Sequence, residues 1–320
     1  MGLARTLGVS ELVIGAVFVG FGTSMPELVT SIEAIQGEAV GIAVGNVVGS
    51  NIANVMLVLG VAALIRPILT NPSALARDTV WMIAATVLFC ALIWFDVFTR
   101  PVGLALVGLL AIYVISSIVL DRRGSSKVGE MHAEEAEIIE AHDPWFIALP
   151  LAIVGIAGVV FGAHFLIEGG VDLAATFGVS EAVIGLTVVA IGTSLPELAT
   201  SVISALKGKS DVALGNILGS NLFNILCVMG LTATVHPFSV LEPTSAAQGY
   251  GYGAGDPSIQ PDTLVPLISW EHIGALILSV FLLLLFAFTG RRLARWEGFL
   301  LLAGYALYMG MIFDLVPTLA

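Results

Sequence analysis

The chain has 320 residues, of which 58% are hydrophobic and only 11% carry a charge. A mean hydropathy of +1.01 excludes a water-soluble globular domain. The net charge of −12 resides largely in short connecting segments, which excludes the basic face that nucleic-acid binding requires. We therefore expect membrane lipid, and no nucleic acid, to surround this chain.

Nine apolar segments follow one another along the sequence, several of them about 20 residues long, the length that crosses the hydrocarbon core of a membrane. We predict that all of them are helices, because an open sheet cannot satisfy its edge groups in lipid. The fold class is therefore that of an all-α polytopic membrane protein. The predicted spans are Val9–Gln36, Gly41–Ile65, Val80–Phe95, Val102–Leu120, Trp145–Ile167, Val179–Leu206, Val212–Val235, Ile273–Phe288 and Gly298–Leu315.

The basic residues indicate the orientation of these spans. If the first span runs from the cytoplasm to the exterior, eleven of the twelve Lys and Arg residues face the cytoplasm and only Arg100 lies outside, as the positive-inside rule predicts. The same orientation places an acidic linker, residues 121–143, in the cytoplasm and a Pro- and Gly-rich loop, about residues 237–269, outside. We expect a multi-pass protein of the cell membrane.

A short motif interrupts the first apolar segment. Its sequence is GTSMPE (residues 22–27), and it occurs again as GTSLPE (residues 192–197). A proline inside a helix removes one hydrogen bond and frees the carbonyl group four residues earlier. A carboxylate at membrane depth costs at least ~2.5–3.5 kcal/mol unless a cation or proton offsets it. We interpret Glu27 and Glu197 as a paired cation site.

The motif belongs to a longer internal repeat. Residues 8–60 align without a gap with residues 178–230, and the alignment includes GNVVGSNIAN (residues 45–54) and GNILGSNLFN (residues 215–224). The copies begin at the first and the sixth predicted span, an odd offset of five spans, so we predict that they run in opposite directions. Inverted repeats with broken central helices are typical of secondary transporters.

The repeat divides the chain into two halves. We assign residues 1–120 to the first inverted repeat and residues 144–320 to the second. A full span, Trp145–Ile167, precedes the second copy, whereas no segment of this sequence matches it ahead of the first copy. Symmetry therefore predicts a helix that is absent here, which a start upstream of Met1 or a truncated chain would explain.

These motifs resemble the signatures of the calcium/cation antiporter superfamily, in particular of the sodium/calcium exchangers and their prokaryotic relatives. The resemblance covers nearly the whole chain. It implies ten helices in two inverted halves, with ions bound between the second, third, seventh and eighth. The absent helix corresponds to the first of the family. In the family that helix pairs with the sixth, Trp145–Ile167 here, and the pair moves against the ion-binding bundle.

The resemblance also implies the ligands of the transported ions. The carboxylates of Glu27 and Glu197 would bind Ca²⁺ together with the backbone carbonyls of Thr23 and Thr193. The residues implied for Na⁺ are Gly20 and Ala190 through their carbonyls, Thr23, Ser24, Ser50, Thr193, Ser194 and Ser220 through their hydroxyls, and Asn54 and Asn224 at the centre.

The donor chemistry agrees with these ions. Ca²⁺ takes 6–8 oxygens at ~2.3–2.6 Å, and two bidentate carboxylates with two carbonyls supply about six. The motifs contain no thiolate or imidazole, so Zn²⁺ and Cu⁺ are not expected, and we expect no cofactor. Potassium-dependent relatives carry an aspartate at the position of Asn224, so K⁺ dependence is not expected either.

We expect an antiporter that exchanges Ca²⁺ for Na⁺ by alternating access. A Ca²⁺/H⁺ antiporter of the same fold is the alternative, because a buried glutamate pair can also carry protons. A cation channel is a further alternative. We do not expect an enzyme, because no Ser–His or Asp–Asp arrangement lies at one depth in the membrane.

The same motifs also predict structural roles. The S-x-x-E pattern that ends at Glu27, and again at Glu197, is that of a capping box. We expect this box to cap the second half-helix of each copy in addition to the ion-binding role of the glutamates. Gly45, Gly49, Gly215 and Gly219 are expected to permit close helix packing rather than to bind ions.

The polar residues outside the motifs include His164, Glu168, Asp172 and Glu33. We predict either an ion-entry role or simple solvation for His164, Glu168 and Asp172, near the outer end of their span. Glu33 has no counterpart in the second copy, where Ile203 stands, and we assign it no role.

Overall fold

The computed structural model of the chain describes residues 20–70, 72–123, 145–208, 210–243, 264–289 and 292–315. Most of the predicted acidic linker lies outside these ranges, as do the start of the first apolar segment and much of the predicted external loop. Within the described ranges the chain is mostly helical, in agreement with the predicted class.

Most helices of the first half are long and apolar, and a short break separates the first two. In chain order these helices are α1 (Gly20–Thr23), α2 (Met25–Gln36), α3 (Val40–Ala53), α4 (Leu59–Ile65), α5 (Pro72–Phe95) and α6 (Arg100–Arg123). A π-helical turn, Asn54–Val58, joins α3 to α4.

The second half begins with a long helix and then repeats the pattern of the first. Its helices are α7 (Trp145–Phe177), α8 (Glu181–Ile184), α9 (Ala190–Thr193), α10 (Leu195–Leu206), α11 (Ser210–Phe223), α12 (Met229–Val235), α13 (Trp270–Thr289) and α14 (Arg295–Leu315). π-helical turns join α8 to α9, over Gly185–Val189, and α11 to α12, over Asn224–Val228.

Two short antiparallel strand pairs lie between helices. β1 (Ile68–Leu69) pairs with β4 (Arg292–Leu293), and β2 (Leu241–Pro243) pairs with β3 (Leu264–Pro266). The first pair ties the end of α4 to the start of α14. The second pair lies within the predicted external loop, about residues 237–269.

The sequence repeat is also a repeat of secondary structure. The helices α1 to α4 and the π-helical turn between α3 and α4 recur 170 residues later, with the same bounds, as α9 to α12 and their π-helical turn. The breaks fall at Ser24 and Ser194, and in each copy a proline occupies the first turn of the next helix, where its missing N–H is tolerated. The second break bends the chain by 44°.

Some of the predicted spans satisfy a test of length and hydropathy. Within the described ranges five helices are long and apolar enough to cross a membrane, and there are six if the bent pair Glu181–Thr193 and Leu195–Leu206 forms one span. The five are Val40–Ile65, Arg77–Phe95, Arg100–Ser117, Val212–Val235 and Trp270–Phe288. Each overlaps a predicted span, whereas the count of nine stays a prediction.

Burial separates central helices from peripheral ones. In the segment Val212–Val235, which covers α11 and α12, 94% of the most apolar window is buried, against 28% in the segment Arg100–Ser117 of α6. Since the side chains of both are apolar, α6 is suited to face lipid and α11 and α12 form the centre. This central segment carries two of the predicted site residues, Ser220 and Asn224.

Helix α3 packs against α8, α9 and the π-helical turn between them, which belong to the other copy of the repeat. Glycine is required there: a Cβ atom added at Gly45 would lie 2.7 Å from the carbonyl oxygen of Ala182, and one at Gly49 would lie 2.6 Å from that of Leu186. This close approach agrees with the packing role predicted for Gly45 and Gly49. It brings α3 of one copy against the broken helix of the other. The same packing prediction is wrong for Gly219, where an added Cβ would meet no described atom within 4 Å.

Candidate ion-binding site

The two helix breaks meet through a reciprocal pair of hydrogen bonds. The Ser24 hydroxyl donates to Glu197 Oε1 at 3.1 Å, and the Ser194 hydroxyl donates to Glu27 Oε1 at 3.1 Å. Each glutamate therefore binds the serine of the other copy. The two acidic side chains converge on one region between the breaks.

This arrangement corrects the predicted capping boxes. Neither Ser24 nor Ser194 makes a side-chain hydrogen bond to the start of its own helix. Both have ψ of 8°, whereas a capping residue has extended backbone, as at Ser180, with ψ of 150° and a hydroxyl that accepts from the Val183 amide. The hydroxyls at the breaks consequently point away from the local amides and towards the opposite glutamate.

Both glutamates are fully buried, each with 0% of its surface exposed. Among the described residues the second carboxylate oxygen, Oε2, of Glu27 and of Glu197 has no hydrogen-bond partner. An unpaired buried carboxylate oxygen is strongly disfavoured. A cation that enters between the breaks would supply the missing partner, so the donor set fits a positively charged substrate.

Hydroxyl pairs from the two copies flank the glutamates. Thr23 Oγ1 lies 3.4 Å from Ser220 Oγ, and the equivalent pair in the other copy, Ser50 Oγ and Thr193 Oγ1, is also 3.4 Å apart. Ser50 Oγ lies within 3.4 Å of the Ala190 carbonyl oxygen as well. The structure thus brings the hydroxyls implied for Na⁺ together across the two copies. Gly20 begins α1 at the position that Ala190 holds in α9.

Two buried asparagines begin the central π-helical turns. Asn54 donates from Nδ2 to Asn221 Oδ1 at 3.0 Å, while its own Oδ1 has no partner within the described ranges. Neither polar atom of the Asn224 side chain has a partner there. Both side chains are 0% exposed. Because π-helical turns are rare and often mark functional sites, these free amide atoms are candidate ion or water ligands.

Sequence reasoning missed Asn46. This buried side chain on α3 bonds to Thr193 Oγ1 at 3.0 Å and to the Glu27 carbonyl oxygen at 3.2 Å. It lies four residues before Ser50 and eight before Asn54, so all three share one face of a helix. That periodicity is the signal from which it could have been found.

The donor set is one of oxygens. In the part of the chain that the structure describes, no group of three or more His, Cys, Asp or Glu side chains is arranged to hold a metal ion. Hydroxyl, carbonyl and amide oxygens beside two carboxylates suit hard cations such as Ca²⁺ rather than Zn²⁺ or Cu⁺.

A duplicated helical membrane fold with a buried, oxygen-lined and acidic centre defines a cation transporter. The family model described as sodium/calcium exchanger protein matches residues 1–119 and 147–313. The chain therefore belongs to the sodium/calcium exchanger family, whose members are exchangers and antiporters and not enzymes.

Similar proteins cover nearly the whole chain. The putative antiporter CaxA of Alkalimonas amylolytica is 33% identical over 312 residues, which are 98% of this chain and 91% of that protein. The sodium/calcium exchanger MaX1 of Methanosarcina acetivorans is 33% identical, over 97% of this chain and 91% of its own. A solved structure of the sodium-calcium exchanger NCX_Mj, soaked with Na⁺ and Ca²⁺, has a TM-score of 0.63 at 30% identity and covers 96% of this chain and 89% of that one.

Proposed function

We propose that this chain is a secondary active antiporter that exchanges Ca²⁺ for Na⁺ across the cell membrane by alternating access. The observation that carries the proposal is the pair of fully buried glutamates, each bound to the serine of the opposite break and each with one oxygen left without a partner. The similarity to MaX1 and NCX_Mj, both named sodium/calcium exchangers, supports the choice of ions.

In this proposal Ca²⁺ binds between Glu27 and Glu197. Two carboxylates neutralise one divalent cation, and the backbone carbonyls of Thr23 and Thr193, at the ends of α1 and α9, supply further oxygens in the flexible geometry that Ca²⁺ accepts.

Na⁺ competes for the same region. Its proposed ligands are the hydroxyls of Thr23, Ser24, Ser50, Thr193, Ser194 and Ser220, the carbonyls of Gly20 and Ala190, and the side chains of Asn54 and Asn224. Because the two glutamates serve both ions, either Ca²⁺ or Na⁺ occupies the centre. An empty centre resists exposure to the opposite side of the membrane, since its bare charges are costly in lipid. That cost couples the two fluxes.

The proposed topology has nine spans in two inverted repeats. The basic residues favour a cytoplasmic linker at residues 121–143 and an external loop at about residues 237–269. The equal bounds of α1 to α4 and α9 to α12 support the duplication, and the reciprocal serine–glutamate bonds support a two-fold relation between the copies. The ion site between the two halves would then be open first to one side of the membrane and then to the other.

Uptake of radioactive Ca²⁺ into proteoliposomes that contain Na⁺ tests the proposal. We expect uptake that requires an outward Na⁺ gradient, continues against a Ca²⁺ gradient and is lost in Glu27→Gln and in Glu197→Gln. Ser279→Ala is the control, because within the described residues this buried hydroxyl bonds to the Leu276 carbonyl of its own helix and to no site residue. Full Na⁺-driven uptake in both glutamate variants would refute the site.

The same vesicles separate the alternatives. Uptake driven by a pH gradient without Na⁺ would identify a Ca²⁺/H⁺ antiporter. Flux that only dissipates gradients, and never runs uphill, would identify a channel. Each outcome changes the driving ion or the class of transporter.

A further inference from the structure

The side chain of Asn46 is fully buried, and all four of its hydrogen-bonding positions are used. Its Nδ2 group donates to the Glu27 carbonyl oxygen at 3.2 Å and to Ser31 Oγ at 3.0 Å. Its Oδ1 atom accepts from Thr193 Oγ1 at 3.0 Å and from Ser50 Oγ at 3.4 Å. One amide therefore joins the backbone of Glu27 in the first copy to a hydroxyl of the second.

The equivalent residue in the second copy does not do this. Asn216 donates to Ser201 Oγ at 3.4 Å, and its Oδ1 atom has no partner among the described residues. Thr23 and Ser220, the hydroxyl pair on that side, still lie 3.4 Å apart. The two halves of the site thus share the same hydroxyls and glutamates but differ in this amide.

The difference matters because each hydroxyl has a single hydrogen. Ser50 and Thr193 lie within hydrogen-bond distance of both Asn46 Oδ1 and the Ala190 carbonyl oxygen. When both hydrogens go to Asn46, the two hydroxyl oxygens and the Ala190 carbonyl keep lone pairs for a cation. Without Asn46 the Thr193 hydrogen turns to the Val189 carbonyl oxygen, which lies 3.0 Å away. The Ser50 hydrogen turns to the Ala190 carbonyl oxygen, which already accepts from the Ser194 amide and is then lost as a ligand.

We propose that Asn46 is a positioning residue that prepares the oxygens of Ser50, Ala190 and Thr193 for Na⁺. The inference rests on the proposed Na⁺/Ca²⁺ exchange. Asn46 approaches Glu27 only through its backbone, so its loss affects Na⁺ more than Ca²⁺.

The test is equilibrium binding of radioactive Ca²⁺ to the purified full chain in lipid nanodiscs, with Na⁺ as competitor and choline to hold the ionic strength constant. We expect Asn46→Ala to raise the half-inhibitory Na⁺ concentration about tenfold, the order expected for loss of a hydrogen bond at a charged site. Ca²⁺ affinity without Na⁺ should change much less. Asn216→Ala is the matched control and should leave both values unchanged.

A second variant covers the case in which Asn46→Ala does not fold. Asn46→Asp keeps the volume and the accepting oxygen and should retain Na⁺ competition. An equal loss of Na⁺ and Ca²⁺ affinity in Asn46→Ala, an equal effect of Asn216→Ala, or loss of Na⁺ competition in Asn46→Asp would overturn the role of Asn46. If Na⁺ fails to compete in the unaltered protein, the proposed Na⁺/Ca²⁺ exchange is wrong. That result is distinguishable from a failure of the role proposed for Asn46, which only the variants reveal.

Discussion

Ser24 and Glu197 are 173 residues apart in the chain, and their side chains share a hydrogen bond of 3.1 Å at the centre of the molecule. The mirror contact, from Ser194 to Glu27, has the same length. Neither copy of the repeat therefore supplies a complete environment for its own glutamate. The site exists only where the two broken helices are docked against each other.

Removal of either serine should weaken ion binding. We expect Ser24→Ala and Ser194→Ala each to lower Ca²⁺ affinity about ten- to a hundredfold, because a hydrogen bond to a charged group contributes ~1.5–3 kcal/mol. Equilibrium binding of radioactive Ca²⁺ to the purified variants measures this. Since the two contacts are equivalent, the two variants should have similar affinities.

Thermal unfolding provides the control for these serine variants. If the hydroxyls capped their own helices, alanine would lower the stability of the protein and leave Ca²⁺ affinity of the folded fraction intact. A loss of stability without a loss of affinity would therefore contradict the cross-copy role. Ser279→Ala, which removes a hydroxyl bonded within its own helix, is the reference for a buried serine outside the site.

Removal of Ca²⁺ should destabilise the protein through Glu27 and Glu197. A ligand that binds only the folded state at 100 times its Kd stabilises it by ~2.7 kcal/mol, so chelation in Na⁺-free buffer should lower the midpoint of thermal unfolding. The double variant Glu27→Gln/Glu197→Gln should lose this dependence. It should also exceed the ion-free parent protein in stability at alkaline pH, because buried unpaired charges are costly. Persistent stabilisation of the double variant by Ca²⁺ would place the ion elsewhere.

The chemistry of the breaks could be predicted from the sequence because it is local. A proline and a carboxylate inside an apolar segment, present twice at equal spacing, were sufficient to predict that Glu27 and Glu197 belong to one buried site. The choice of partner was not predictable in the same way. The S-x-x-E pattern favours a cap within one helix, whereas the serines bond to residues at least 167 positions away.

Other features depend on how the helices dock. The periodicity of α3 places Asn46 beside Ser50, but its bond to Thr193 requires the contact of α3 with α9. The π-helical turns at Asn54 and Asn224 are not distinguished from α-helix by any residue in NVMLV or NILCV. Glu33 received no role because Ile203 stands in its place in the second copy. Its contact with His164, 131 residues further along the chain, depends on how two helices dock.

The close contact of α3 with α8 and α9 should not tolerate a side chain. We expect Gly45→Ala and Gly49→Ala each to destabilise the protein by about 1–3 kcal/mol, the usual cost of overpacking, because the added Cβ would press on a backbone carbonyl. Gly108→Ala is the matched control, since a Cβ there meets no described atom within 4 Å. Thermal unfolding in nanodiscs compares the three. Equal midpoints would show that the contact is not tight.

A covalent link between α7 and α2 should stop transport. His164 Nδ1 on α7 lies 3.0 Å from Glu33 Oε1 on α2, beside a cavity of about 600 Å³ that Glu168 and Asp172 also line. In the proposed exchanger α7 moves against the ion-binding helices. A short thiol-reactive linker between Glu33→Cys and His164→Cys would hold the two helices together while the glutamates at the centre remain unaltered.

The measurement is Na⁺-driven uptake of radioactive Ca²⁺ before and after linkage, in a background with Cys90→Ala and Cys227→Ala, since both native cysteines are free. We expect linkage to abolish uptake but to preserve equilibrium Ca²⁺ binding. Leu69→Cys/Arg292→Cys is the control pair, because these exposed residues face each other across β1 and β4, away from α7. Its linkage should leave uptake intact. Normal uptake by the linked α7–α2 pair would mean that α7 does not move relative to α2 during exchange.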